Sequence, residues 1–237
     1  MMRVIASDWL KIRGRGIWLL ALIGPLGVMG IQALNFGLRL DYMKSIYAGH
    51  MWEGLLEQTM QFVPMTLLLG STLICSLIAG IEHQTSAWKQ LLALPVSRIS
   101  VFVSKLLLAL MLLSVSCLLL PVFLAVLGLL LGFPAVELPV IDLLRTGFPS
   151  FAAALPFTAL QLWLSLVSRN QSLAVSVGVI TAIMSPFLTS LPEWVPTNWV
   201  YYAWSGPGRP GFAGAGVVFG LLLLIPGAMH FGRKDVN

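Results

Sequence analysis

Long stretches without a charged residue alternate with short polar segments along this chain. The stretches are Gly16 to Leu38, Gln58 to Ile81, Leu106 to Phe133, Thr146 to Ser168, Asn170 to Pro192 and Pro210 to Met229. Each is close to or above the roughly 20 residues a helix needs to cross about 30 Å of hydrocarbon. Only helices and closed barrels satisfy the backbone there, and continuous apolar runs are not the alternating strands of a barrel. The pattern predicts an all-α integral membrane protein with six transmembrane helices, forming a single transmembrane domain over residues 1–237. Arg169 alone separates the fourth and fifth runs, which predicts a tight hairpin.

Three polar segments have a pattern of their own. At the N-terminus, Ile5, Trp9 and Ile12 recur at i, i+4 and i+7, beside Arg3, Lys11, Arg13 and Arg15. This predicts an amphipathic helix over 1–15 that lies in the inner interface, stripe in lipid and cations at the headgroups. Residues 82–105 form a polar island between the second and third runs. Within it Trp88, Leu91, Leu92 and Pro95 make an apolar knob, flanked by Glu82, Lys89 and Arg98. Pro95 disfavours helix at Leu94, so a short helix is expected to end there before a second leads into the third span. Such a helix suits a groove on another protein. Residues 192–211 interleave Trp194, Trp199, Tyr201, Tyr202 and Trp204 with Pro192, Pro196, Pro207 and Pro210. Trp and Tyr favour the headgroup level. The segment is expected to be either an aromatic belt at the headgroups or a short re-entrant or interfacial structure in which Trp194, Trp199, Tyr201 and Trp204 meet an amphiphile.

Composition agrees with the lipid reading: 58% of residues are hydrophobic and 10% are charged, against about 25% charged in soluble domains. The first run is expected to be an uncleaved anchor, since its apolar part exceeds a signal-peptide core. Basic residues set the orientation. With the N-terminus inside, Arg3, Lys11, Arg13, Arg15, Lys89, Arg98, Lys105, Arg169, Arg233 and Lys234 fall in the cytoplasm, against Arg39, Lys44, Arg145 and Arg209 outside. Both termini are therefore expected in the cytoplasm of a multi-pass plasma-membrane protein. The net charge of +5 is a topology signal and does not point to nucleic acid.

The chemistry that is missing narrows the function. None of the six runs contains an Asp, Glu, Lys, Arg or His, where ion-coupled carriers commonly place a relay. His50, His83 and His230 are scattered, and Cys75 and Cys117 have no metal or disulfide spacing. Gly206, Gly208 and Gly211 match G-x-G-x-x-G literally, but prolines occupy x positions and no strand precedes them. A P-loop is absent from the sequence. No catalytic residue, metal or cofactor is expected, and uphill transport would need energy from a partner. Asn170-Gln171-Ser172 is a formal glycosylation sequon on the expected cytoplasmic side.

One family resemblance emerges from these segments. The opening Asp8 to Arg13 (DWLKIR), Pro25 in the first run, and the pattern of Glu82, Trp88, Lys89, Leu91, Leu92, Pro95, Val96, Ser97, Arg98 and Lys105 resemble ABC-2 type transporter permeases. Within that family the chain looks like the permease subunits of lantibiotic-immunity and bacitracin-type exporters. The six-run layout matches over essentially the whole chain. His83 and Gln84 stand where common relatives have a basic-Gly pair. The resemblance implies a permease without its own ATP site, paired with a same or related second permease and two cytoplasmic ABC ATPase subunits. It implies that Glu82, His83, Trp88, Lys89, Leu91, Leu92, Pro95 and Arg98 form the coupling helix that meets the ATPase. It also implies export of a lantibiotic, peptide antibiotic or other amphiphile. The alternatives are a non-transporting sensor or assembly component of a resistance system, and an ATP-independent carrier.

Overall fold

The computed structural model describes residues 16–84, 98–168, 170–187, 191–205 and 208–233, with backbone alone at 82–84, 98, 209, 232 and 233. The helix expected over 1–15 lies outside these residues. Regular structure among the described residues is helical, in ten α-helices and one 3-10 turn. Four of the helices are long and apolar enough to cross a membrane: α1 (Ile17–Leu38), α4 (Val63–Gln84), α5 (Arg98–Leu130) and α10 (Arg209–Arg233).

Two shorter helices, α2 (Leu40–Ile46) and α3 (Met51–Met60), stand between α1 and α4, largely in the charged stretch between the first two runs. In α3 the positions Trp52, Leu55, Leu56, Thr59 and Met60 follow i, i+3, i+4, i+7 and i+8, and all are buried. Glu53 and Glu57 lie off that stripe and interrupt the uncharged run, which hides the helix from a search for such runs. Pro64 separates α3 from α4. It has no N–H for the Met60 carbonyl, so the helix breaks at Gln61–Phe62 and restarts with Pro64 in its first turn.

Helix α5 has 33 residues, about 50 Å at 1.5 Å per residue. It starts at Arg98, two turns ahead of the expected Leu106, and ends in a Schellman motif. Phe133 N–H donates to the Gly128 carbonyl at 2.9 Å and Gly132 N–H to Leu129 at 3.1 Å. Gly132 takes φ 82°, a conformation that favours glycine.

The fourth expected run is not one rod. It consists of α6 (Val140–Ala153) and α7 (Leu155–Val167), bent by 50° at Ala154. Pro156 lacks the N–H that would bond the Ala152 carbonyl, which opens the elbow. Helix α6 also begins earlier than Thr146, because Asp142 and Arg145 are helical and bonded to each other at 3.1 Å. The fifth run shortens to α8 (Gln171–Met184), 14 residues long. Asn170 caps it, its side chain accepting from Ser172 N–H at 3.0 Å, and Pro186 follows its end. Helix α9 (Pro196–Ser205) then lies against α6 and α10.

Helix α4 is the central rod, packed by α1, α5, α7 and α8. Its contacts with α7 and α8 are polar. Thr158 Oγ1 donates to Ser71 Oγ at 3.3 Å and Gln171 Nε2 to the Ser76 carbonyl, while Gln161 Nε2 ties α7 to α8 through the Ala174 carbonyl at 2.8 Å. Thr72 fills the space over Gly178, where a Cβ would come within 2.3 Å of its Oγ1. Small and hydroxyl side chains bind helices where lipid supplies no hydrophobic drive. The outer faces of α1 and α10 are apolar, with Leu19, Ile23, Leu221, Leu222 and Ile225 exposed.

The last helix closes the bundle by fitting into the elbow. A Cβ on Gly216 would lie 2.5 Å from both the Ala152 carbonyl oxygen and Ala153 Cα, and one on Gly220 would lie 2.9 Å from Leu155 Cβ. The Gly216-x-x-x-Gly220 face is thus spent inside the chain. Gly216→Leu should lower stability by about 1–3 kcal/mol through overpacking, read by denaturation in detergent. Loss of self-association at unchanged stability would show that this face joins two copies instead.

Candidate functional site

A wide concavity opens where α3, α6 and α9 converge, with a volume of about 1430 Å³. Helix α3 supplies Trp52 and Leu56, α6 supplies Arg145 and Pro149, and α9 supplies Tyr201 and Trp204. Glu137 of the 3-10 turn (Ala135–Glu137) and Glu53, Glu57 and Asp142 put four carboxylates on its wall. Arg145 is held by Asp142. His50 Nδ1 stands 3.8 Å from Glu53 Oε2. Glu57 accepts from the Tyr47 hydroxyl at 3.4 Å, and that oxygen accepts from Gln58 Nε2 at 3.0 Å. A second cavity, between α1, α4 and α5, is apolar and about 50 Å³, room for little beyond one or two waters.

Trp52 is the fixed wall. Its Nε1–H donates to the Pro134 carbonyl at 3.0 Å, and its ring meets Phe133 edge-on at 5.3 Å. The ring lies over Gly128 of α5, where a Cβ would be 2.4 Å away. The far end of α5 is thereby joined to the cavity wall.

The aromatic residues singled out from the sequence separate here. Tyr201 and Trp204 line the cavity. Trp199 is turned to its own chain: Nε1 donates to the Glu193 carbonyl at 2.8 Å and the ring packs on Phe219 at 5.9 Å. Trp194 is 75% exposed. Of the residues expected to form the coupling helix, Glu82 and His83 sit in the last turn of α4 and Arg98 in the first of α5. Trp88, Lys89, Leu91, Leu92 and Pro95 lie outside the described residues.

Lys105 was grouped with the polar island, but it is 2% exposed in the second turn of α5 and is held by an interaction there. The signal was present in the spacing. Val101, Lys105, Leu108 and Leu112 share one buried face. Among the described residues no three His, Cys, Asp or Glu side chains gather as metal ligands.

The sequence model of the ABC-2 family transporter proteins matches residues 4–185. The chain belongs to that family. The match runs from the N-terminal segment through α8, including both helices that flank the island. An ABC-2 protein is the membrane subunit of a transporter and works with an ABC ATPase. No curated protein and no solved structure matches this ABC-2 chain.

Two substitutions at the clasp separate its parts. Trp52→Phe should cost about 1 kcal/mol for the lost hydrogen bond. Gly128→Val should cost about 1–3 kcal/mol by displacing the ring. Both are read from thermal denaturation. Equal stability of Gly128→Val and wild type would show that the ring does not rest on α5.

Proposed function

We propose that this chain is the permease subunit of an ATP-driven exporter whose cargo is an amphiphile, a lantibiotic or other peptide antibiotic in the first instance. The supporting observation is the family match across α4 and α5, which bracket a polar segment suited to docking. In this reading the chain makes six passes. The elbowed pair α6–α7 is the fourth and α8 the fifth. Both termini and the island face the cytoplasm, and the α3–α9 cavity faces outward. A second permease chain completes the membrane unit, and two ATPase subunits bind the islands.

The geometry supports a mechanical route. ATPase closure moves the segment from Glu82 to Arg98. Helix α5 starts at Arg98 and runs without interruption to Leu130. Its last turns carry Gly128, under Trp52. A helix of this length transmits displacement from the island to the cavity wall. Phe102, packed on Phe231 at 6.0 Å, ties its base to α10.

Affinity capture of the chain should retain an ABC ATPase, and Trp88→Ala or Leu91→Asp should abolish substrate-stimulated ATP hydrolysis while membrane insertion persists. Normal stimulated hydrolysis in both variants would remove the coupling role. For orientation, a cysteine at Glu137 should react with a membrane-impermeant maleimide in intact cells, while the buried Cys75 and Cys117 stay unlabelled. Labelling only after permeabilisation would invert the topology.

A further inference from the structure

The inner face of α1 is a stripe through Ala21, Pro25, Val28 and Phe36, apolar but for Gln32. Gln32 is 0% exposed, and neither its amide nitrogen nor its amide oxygen has a hydrogen-bond partner among the described residues. The buried stripe of α3 is likewise apolar but for Thr59. That residue is also 0% exposed, and its hydroxyl is unmatched. Such groups are rare in folded proteins, because giving up water without a replacement bond is costly.

The two exceptions stand at one level. Helix α1 runs antiparallel to the stretch formed by α3 and the start of α4, and three packed levels fix the register. A Cβ on Gly24 would meet Thr66 Cγ2 at 3.4 Å. Val28 shares a packed cluster with Met60 and Val63. Phe36 shares another with Trp52 and Leu55. Gln32 is four residues from both Val28 and Phe36, and Thr59 is four residues from both Leu55 and Val63. The register therefore sets Gln32 opposite Thr59, between the two apolar clusters. They do not bond each other. Gln32 Nε2, Gln32 Oε1 and Thr59 Oγ1 are thus unmatched at the same level, within the roughly two to four polar partners that hold a buried water. A water can accept from an amide N–H and donate to a hydroxyl oxygen.

We propose that a buried water bridges Gln32 and Thr59, and that this hydrated pair seats α3 on α1. The water accepts from Gln32 Nε2–H and donates to Thr59 Oγ1. Neither side chain titrates, so the bridge is indifferent to pH. Its role is to position α3, which carries Trp52, Glu53 and Glu57 of the concavity wall. Trp52 ties that helix to α5 at Gly128, and the bridge ties it to α1. The site belongs to this chain alone and does not depend on the cargo or the direction of transport.

Two measurements on the full chain in maltoside micelles test the bridge. Hydroxyl radicals made by an X-ray pulse oxidise side chains beside bound water, buried ones included. Met60 is 1% exposed, follows Thr59 and packs with Val28, whereas Met43 is 4% exposed inside the apolar cluster of Phe36 and Leu55. Met60 should be oxidised severalfold faster than Met43, and Q32L/T59V should remove that excess. Equal rates in the wild-type chain overturn the water and leave at most a direct Gln32–Thr59 bond. In reversible unfolding, Q32L and T59V should each lower the folding constant about tenfold by stranding the opposite group, and Q32L/T59V should return to within about threefold of wild type. Single variants each more stable than wild type, with effects that add in the double, overturn the bridge. The ratio of Met60 to Met43 oxidation in the wild-type chain decides the matter should a variant fail to fold.

Discussion

The fit of Gly216 and Gly220 against the elbow at Ala154 is the contact on which the bundle depends. Pro156 takes away the N–H that would straighten α6 and α7, and the resulting 50° bend would leave a gap beside α10. Two glycines let the α10 backbone close that gap to van der Waals distance. The bend also aims α6 toward α9, where Ser150 Oγ donates to the Val200 carbonyl at 3.0 Å. The tilt of α6, the position of α9 and the mouth of the large cavity all follow from that one fit.

The remaining helices are joined by two different kinds of adhesion. Helix α4 meets α7 and α8 partly through polar groups: Thr158 Oγ1 donates to Ser71 Oγ, Cys75 Sγ to the Thr158 carbonyl and Gln171 Nε2 to the Ser76 carbonyl. It meets α1 and α5 largely through Leu, Ile and Cys side chains. In hydrocarbon the first kind has direction and resists sliding, whereas the second depends on packing alone. The side of the molecule that includes α5 rests mainly on packing of this second kind. It is also the side that carries both the island and the clasp on Trp52.

What could be read from the chain depended on how charge was distributed. Helices α1 and α10 and most of α4 and α5 were visible because nothing charged interrupts them. Helix α3 was hidden by Glu53 and Glu57, although its buried stripe keeps strict helical spacing. Lys105 was placed outside the bundle by its charge alone, although its neighbours at i−4, i+3 and i+7 are buried. In the sequence Pro156 is one proline within an uncharged run. The close fit of α10 into the elbow beside it depends on Gly216, distant in sequence, and no local rule connects the two. The aromatic segment was recognised, but its division into cavity-lining Tyr201 and Trp204 and self-packed Trp199 arises from the register of α9 on α10. The acidic wall was legible only as scattered outer charge, since its members come from α3, the 3-10 turn and α6.

The shortness of α8 has a consequence for the lipid around it. Fourteen residues rise about 21 Å, some 9 Å less than a typical hydrocarbon core. Leu173, Val177, Ile180 and Ile183 are exposed along one flank of it, an apolar surface fit for acyl chains. Either those chains compress to match it, or the residues after Pro186 are drawn into the hydrocarbon. With α8 as the fifth pass of the proposed topology, the first response thins the membrane on that flank of the protein, and the second keeps its thickness by lengthening the apolar segment.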